Sequence, residues 1–204
     1  VSVEYDAQTK AMKAVIFPRF HQLDAVRALA ADAKQSGPGK NYLIQHSAGS
    51  GKSYSIAWLA HRLSSLHAAD DSSVFDSVIV LTDRRNLDSQ LSADVEGVEH
   101  RAGVVVRIDD DSRSGGLRDA INGGAKIITS TIQKFPYICG ETKAAGKRFA
   151  VIIDEAHSSQ AGRTHAKMKM ALADVEPDEV EAEDAQDRLV AEMQAQGALS
   201  NLSI

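Results

Sequence analysis

A glycine-rich turn in the first third of the chain carries the clearest chemical signal. Residues 41–53 read NYLIQHSAGSGKS, a short apolar run followed by small residues and then by the start of a helical pattern. Gly49 and Gly51 allow the backbone to curl, so that its N–H groups converge at the positive end of the next helix and favour phosphate. The pattern predicts that Lys52 reaches the β- and γ-phosphates of a nucleotide and that the Ser53 hydroxyl binds Mg²⁺.

Two adjacent carboxylates, Asp154 and Glu155, follow the apolar run FAVII at residues 149–153. A Mg²⁺ ion that bridges two phosphates needs a carboxylate near it, and Asp154 is placed to supply one. Glu155 is placed to orient and deprotonate an attacking water molecule. Together with the phosphate loop, this pair predicts phosphoryl transfer to water, with Lys52, Asp154 and Glu155 as the catalytic residues.

The elements that would position these residues alternate between helices and strands. Apolar residues recur at helical spacing in residues 17–33 and 54–66. The run SVIVLT at residues 77–82 is continuously apolar, as expected for a strand covered on both faces. Strands are predicted at residues 42–45, 77–82, 103–108, 126–130, 149–153 and 198–204, whereas residues 1–16 read as a polar lead-in.

This alternation predicts an α/β fold with a parallel sheet flanked by helices. Ligands bind beyond the carboxyl ends of the strands in such sheets. The phosphate loop, Thr82, Ser130 and Asp154 all fall at that edge, so we expect them to lie close together.

Composition places the chain among ordinary globular proteins and excludes several other classes. The 204 residues carry a net charge of -5, so contact with a polyanion would need a local basic patch. The one cysteine, Cys139, excludes an internal disulfide and suits a reducing cytosol. No apolar run is long enough to span a membrane, so we expect no membrane partner and a cytoplasmic location.

We expect a single domain over residues 1–204 that belongs to a longer chain. The sequence begins with Val1 rather than Met, and its last residues read as a strand with no turn after it. Residues 172–197, which are strongly acidic between 174 and 188, are predicted to form a peripheral helix or insertion.

Several short motifs occur in an order that resembles a known family. HSAGSGKS and VIIDEAHSSQ resemble motifs I and II of the superfamily-two helicase-like ATPases, with residues 154–157 as a DEAH box. More closely, FPRFHQLDAV, VIVLTDRRNLDSQ and DEAHSSQAG are similar to the motor region of the R subunit of type I restriction enzymes. The resemblance covers residues 17–162 and returns at 201–204. It implies the first RecA-like motor domain of such a protein, interrupted before motif III.

The resemblance also implies roles for individual residues. An element that reads the adenine edge is matched by Arg19 and Gln22. The binders of phosphate and Mg²⁺ are matched by Gly49, Ser50, Gly51, Lys52 and Ser53, with Asp154 as the second metal residue.

Two further sets of roles concern DNA and the second motor domain. Contacts to the DNA backbone are implied for Thr82, Arg84, Ser130 and Thr131, and His157 matches the residue that couples hydrolysis to the second domain. The chain departs from the family pattern at His46, the first position of the phosphate loop, and at Ser158, where arginine is frequent.

The function implied by the resemblance is ATP-dependent translocation on, and cleavage of, duplex DNA, with ATP and Mg²⁺ as cofactors. The implied partners are the second motor domain and the nuclease domain of the full-length chain, and the methyltransferase and specificity subunits. The sequence shows no arginine finger, so we expect the chain alone to hydrolyse ATP slowly at most. Other readings are another superfamily-two helicase acting on DNA or RNA, a small-molecule kinase, and a nucleotide-gated interaction module without catalysis.

Overall fold

The computed structural model describes nine segments of the chain, and the fold is drawn from them. They are residues 2–5, 12–47, 49–82, 85–98, 103–108, 115–138, 141–154, 168–172 and 200–204. The strands are β1 Ser2–Tyr5, β2 Met12–Ile16, β3 Ser77–Thr82, β4 Val105–Arg107, β5 Ile127–Thr131, β6 Phe149–Ile153 and β7 Leu202–Ser203. The helices are α1 Phe20–Ser36, α2 Lys52–Ser64, α3 Arg85–Glu96 and α4 Gly115–Asn122, with a 3₁₀ helix at Ile132–Tyr137.

Five strands form one parallel sheet in the order β4-β5-β3-β6-β7. The central strand, β3, has all six of its residues buried, because helices cover both faces of the sheet. The predicted α/β fold with a parallel sheet flanked by helices is therefore confirmed.

Successive apolar residues along the strands of the main sheet alternate between two hydrophobic clusters. Val78 and Val80 of β3 pack with apolar residues of α1, α2 and α3. Ile79 and Leu81 face the opposite side and pack with α4, the 3₁₀ helix and residues 168–172. The two clusters fix which face of the sheet each strand-end side chain will occupy.

The strand predicted at residues 42–45 is wrong, because residues 41–47 carry no strand. The backbone N–H of Tyr42 donates to the carbonyl of Ile204 at 2.8 Å, so this segment lies beside β7. However, this contact does not extend into a strand ladder at residues 41–47. Leu43 is 85% exposed and Ile44 42% exposed, as expected for a segment outside the sheet.

A carboxylate on α1 holds the start of this segment. The Tyr42 hydroxyl and the Lys40 ammonium group both donate to Asp32 Oδ2, each at 2.7 Å. Burial of the tyrosine ring, together with the hydrogen bond to Asp32, raises the pKa of Tyr42 to about 12. Tyr42 is therefore protonated at neutral pH, and it keeps this hydrogen bond until the pH rises far above neutrality.

The prediction that residues 1–16 form only a polar lead-in is also wrong. β1 and β2 pair as an antiparallel two-stranded sheet separate from the main one. The backbone N–H of Val3 donates to the carbonyl of Gly97 at 3.1 Å, and Ile16 packs against the cluster that contains α2. The docking site of this pair at Gly97 lies far away in sequence, so local pattern alone did not reveal it.

The acidic helix predicted at residues 172–197 lies outside the described residues beyond residue 172. Within the described segments, no helix combines the length and the apolar character needed to cross a membrane.

We predict that Asp76→Asn lowers the free energy of unfolding by about 1 kcal/mol at neutral pH. Asp76 Oδ2 accepts hydrogen bonds from the Arg148 backbone N–H at 2.8 Å and from Arg148 Nε at 3.3 Å. Burial raises the pKa of Asp76, but the Arg148 hydrogen bonds outweigh it and hold the pKa below its usual value. A carboxylate with a lowered pKa stabilises the fold above its unfolded pKa of about 3.9, and the effect is lost as pH falls through the folded pKa.

Urea unfolding over a pH series measures this difference, with Asp24→Asn, an exposed carboxylate on α1, as the control. A difference between wild type and Asp76→Asn that stays constant at acidic pH would contradict the assignment.

Candidate nucleotide-binding site

The phosphate loop has the backbone geometry that its glycines predict. Gly49 has a φ of 74° and Gly51 a φ of 81°, both in the left-handed region that favours glycine. Gly51 immediately precedes α2, whose first turn has no acidic residue. The positive end of the α2 dipole therefore faces the loop without a nearby carboxylate from its own first turn, which suits an anionic ligand.

The side chain of Gln22, at the start of α1, holds this loop. Gln22 is 3% exposed. Its Nε2 donates to the carbonyls of Ser50 at 3.2 Å and of Gly51 at 2.9 Å. Its Oε1 accepts from the backbone N–H of Arg19 at 2.8 Å. Both ends of the amide are thus bonded to backbone, and the amide fixes the loop relative to α1.

The close approach of Gln22 adds a second reason for glycine at residue 51. A Cβ added at Gly51 would lie 2.6 Å from Gln22 Nε2, closer than atoms tolerate, whereas one added at Gly49 would meet nothing within 4 Å. The φ of Gly51 favours glycine, and a side chain there would also have to displace the Gln22 amide from its hydrogen bonds.

Two histidines adjoin the loop. The rings of His21 and His46 meet edge to face with centroids 5.3 Å apart, and His21 Nε2 lies 3.2 Å from the carbonyl oxygen of Ser50. His46, where the chain departs from the family pattern, therefore packs against α1 rather than projecting away from the loop.

Lys52 and Asp154 line the same cavity, which has a volume of about 580 Å³. Lys52 is the first residue of α2, and Asp154 directly follows β6. The backbone N–H of Asp154 donates to the carbonyl of Leu81 at 2.9 Å, which ties Asp154 to the end of β3. The rest of the wall is largely apolar and comes from α1, α2, the 42–46 segment, β6 and residues 203–204. A cationic and an anionic side chain thus share one cavity beside the phosphate loop.

The remaining residues predicted to bind nucleotide lie in the phosphate loop and at the starts of α1 and α2. Ser53 follows Lys52 in the first turn of α2 and is half-buried, as is Ser50. Arg19 lies next to α1, and its backbone contacts Gln22. The adenine contacts expected of Arg19 and Gln22 stay predictions, because Gln22 here contacts the loop instead.

The strand-end residues expected to touch DNA are buried. Thr82 is 3%, Ser130 0% and Thr131 2% exposed. A DNA backbone would reach these side chains only after neighbouring segments move, and their role stays a prediction. Arg84, Glu155 and His157 lie outside the described residues.

The sequence alone did not reveal the contact between Gln22 and the loop carbonyls. The two partners are 28 and 29 positions apart, and nothing in the local pattern around Gln22 predicts which backbone its amide will meet. The contact of His21 with the same loop was missed for the same reason.

Residues 21–176 match the SWI2/SNF2 ATPase family. This is more than half of the 204-residue chain. No curated protein sequence matches the chain.

Solved structures with similar folds have low sequence identity. A nuclease-deletion mutant of the Type ISP restriction-modification enzyme LlaGI, in complex with a DNA substrate mimic, is 18% identical with a TM-score of 0.50, over 75% of this chain and 16% of that one. UvsW of bacteriophage T4 is 14% identical with a TM-score of 0.52, over 85% of this chain and 30% of that one. The chain therefore spans less than a third of either protein, and these likenesses concern the fold alone.

We predict that Gly51→Ala costs more stability than Gly49→Ala. Both substitutions force a side chain into the left-handed region, which costs about 1–2 kcal/mol. Gly51→Ala also displaces Gln22 and two of its hydrogen bonds, which adds about 1–2 kcal/mol in total.

Urea unfolding of both variants, repeated with Gln22→Ala in the background, separates the two effects. The extra cost of Gly51→Ala should disappear when Gln22 is alanine, because the clashing amide is gone. Equal costs for both glycines in the otherwise wild-type chain would contradict the close contact.

Proposed function

The chain belongs to the SWI2/SNF2 ATPase family, whose members are helicase-type ATPases of superfamily two. On this basis we propose that it is the first motor domain of a type I restriction enzyme R subunit. In this proposal residues 1–204 form one RecA-like domain that binds ATP with Mg²⁺ and contributes to movement along, and cleavage of, duplex DNA. The observation that carries it is the shared cavity of Lys52 and Asp154 beside a glycine-rich loop at the start of α2.

The side chains at this cavity and in the first turn of α2 suit a metal-bound triphosphate. The helix start and the Lys52 ammonium group attract phosphate oxygens. Ser53 and Asp154 offer hydroxyl and carboxylate oxygens, the hard ligands that Mg²⁺ prefers. When bound, Mg²⁺ neutralises phosphate charge and polarises the bond to be broken.

In the proposed reaction the chain's own residues position the phosphates and the attacking water. Gly49, Ser50 and Gly51 supply backbone N–H groups, Lys52 holds the β- and γ-phosphates, and Glu155 accepts the proton of the water. Gln22 supports the loop from the side of α1, because its amide donates hydrogen bonds to the carbonyls of Ser50 and Gly51. Arg19 and Gln22 are proposed to adjoin the adenine.

The restriction-enzyme assignment is supported by the sequence resemblance over residues 17–162. Thr82, Arg84, Ser130 and Thr131 are proposed to reach the DNA backbone, and backbone contacts suit a motor that must pass over any sequence. His157 is proposed to couple hydrolysis to a second motor domain. That domain would also supply an arginine finger, worth about 10³–10⁵ in rate where it operates.

The other partners are proposed on the same resemblance. A nuclease domain of the full-length chain would cut DNA, and methyltransferase and specificity subunits would choose the site. The chain alone is proposed to bind ATP and Mg²⁺ weakly and to hydrolyse ATP slowly.

We predict that Lys52→Ala weakens binding of ATP in the presence of Mg²⁺ by about ten- to a hundredfold, because a charge-assisted hydrogen bond to phosphate is lost. Calorimetric titration of the chain with ATP measures this, and Lys143→Ala, an exposed lysine away from the loop, is the control. Equal affinities for wild type and Lys52→Ala would contradict a nucleotide site at this loop.

We predict that Glu155→Gln in a chain extended through the second motor domain abolishes DNA-stimulated ATP hydrolysis but preserves ATP binding. The amide keeps the shape of the carboxylate but cannot accept the proton of the water. A phosphate-release assay with duplex DNA measures the rate. Unchanged hydrolysis would exclude Glu155 as the base, and a wild type without hydrolysis would favour a nucleotide-gated interaction module.

We predict that duplex DNA, and not single-stranded RNA, competes for the nucleic-acid site of this extended chain. A fluorescence-anisotropy competition at several salt concentrations measures this, and affinity should fall steeply with salt because phosphates are the contacts. Stronger competition by RNA would assign the chain to an RNA helicase instead.

A further inference from the structure

Three polar residues form a row across neighbouring strand ends. β3 pairs in parallel with β5 so that Thr82 lies beside Thr131. β3 also pairs with β6 so that Leu81 lies beside Ile153. The hydrogen bond from the Asp154 backbone N–H to the Leu81 carbonyl continues that ladder by one residue. Asp154 is therefore the neighbour of Thr82 on the other side.

Thr82 and Asp154 lie on the face of the sheet that α2 covers. Val78 and Val80, the alternate residues that precede Thr82, pack in the cluster that contains α2. On β6, Ala150 and Ile152 belong to the same cluster, and Asp154 is the next residue in that alternation. The phosphate loop feeds α2 on this face, so Thr82 stands beside the cavity residue Asp154 on the side of the phosphate loop.

The Thr82 hydroxyl is buried and has no hydrogen-bond partner within the described segments. Thr82 is 3% exposed, and its Oγ1 has no contact with solvent. Thr129 lies on β5, two residues before Thr131, and faces the same side of the sheet as Thr82. It is buried to a similar degree, but its Oγ1 accepts a hydrogen bond from Ser92 Oγ at 3.0 Å. Burying a hydroxyl without a partner is unfavourable, so a site that keeps one points to a partner that the hydroxyl meets only when a ligand is bound.

We propose that Thr82 is a positioning residue of the metal site, whose hydroxyl donates to the Asp154 carboxylate when nucleotide and Mg²⁺ are bound. The inference rests on the proposed function and gives Thr82 a role apart from DNA. A carboxylate has about four lone-pair sites, enough for a metal and for several donors at once. The hydroxyl fixes the orientation of the carboxylate, as outer hydrogen bonds do for metal ligands in general.

The test compares Thr82→Val, which keeps the shape but removes the hydroxyl, with Thr82→Ser, which keeps the hydroxyl. ATP affinity of the chain is measured by calorimetry over a series of Mg²⁺ concentrations. Thr82→Val should raise the Mg²⁺ concentration at which ATP affinity reaches half of its maximal increase by about three- to tenfold, the range expected for one hydrogen bond. Thr82→Ser and the control Thr129→Val should follow the wild type.

Thermal unfolding without ligand provides a second readout. Thr82→Val should melt at or above the wild-type temperature, because it removes a buried hydroxyl without a hydrogen-bond partner in the described segments. Thr129→Val should melt lower, because the hydrogen bond from Ser92 to Thr129 is lost.

Three results would overturn the inference. They are a Thr82→Val titration that superimposes on wild type, a Thr82→Ser chain as impaired as Thr82→Val, and a Thr82→Val chain that melts well below wild type. If wild type binds ATP and only the Thr82 effect is missing, the proposed function stands. If wild type binds no ATP at any Mg²⁺ concentration, the proposed function falls and this inference falls with it.

Discussion

The candidate site depends on one glutamine amide. Gln22 joins the start of α1 to the carbonyls of Ser50 and Gly51, and its other end is bonded to the backbone of Arg19. The carbonyls of a phosphate loop must point away from its ligand so that the N–H groups can point toward it. By donating hydrogen bonds to those carbonyls from the side of α1, Gln22 stabilises the orientation of the loop that an anion requires. Gly51 follows from this constraint, because a side chain there would occupy the place of the amide.

The second constraint is the parallel register of the sheet. Parallel strands end at one edge, so a residue just beyond β6 comes beside the last residue of β3 without any dedicated contact between loops. This register carries Asp154 to the cavity that Lys52 lines, and it brings the buried hydroxyl of Thr82 beside Asp154. Chemistry at this edge therefore draws on rigid strand ends on one side and on a loop held by a helix on the other.

The sequence predicted those parts of the fold whose signals are local. The apolar run of β3 and the glycines before α2 each act within a few residues, and the structure has them as expected. The segment at residues 42–45 has the composition of a strand, yet whether it pairs depends on its neighbour in space, residues 202–204, to which Tyr42 makes a backbone hydrogen bond. Local pattern cannot reveal that neighbour. The docking of the β1–β2 pair was missed in the same way, because Val3 bonds to the backbone of Gly97, which lies far away in sequence.

The same distinction between local signals and tertiary packing holds for the candidate site. The residue types in the loop and after β6 pointed to phosphate and metal, but the part played by Gln22 and the buried state of Thr82 and Ser130 depend on tertiary packing. A motif indicates which ligand a segment suits. The side chains that pack against the motif determine whether its backbone is fixed in the conformation that binds the ligand.

The central claim is that one cavity holds the phosphates and the carboxylate of Asp154 around a single metal ion. Electron–nuclear double resonance of Mn²⁺ in place of Mg²⁺, with ATP and with ¹³C in the aspartate carboxylates, tests it most directly. The account predicts that one bound Mn²⁺ shows couplings to both ³¹P and ¹³C, and that the ¹³C coupling vanishes in Asp154→Asn. A protein-bound Mn²⁺–ATP complex with ³¹P couplings and no aspartate ¹³C coupling would contradict it.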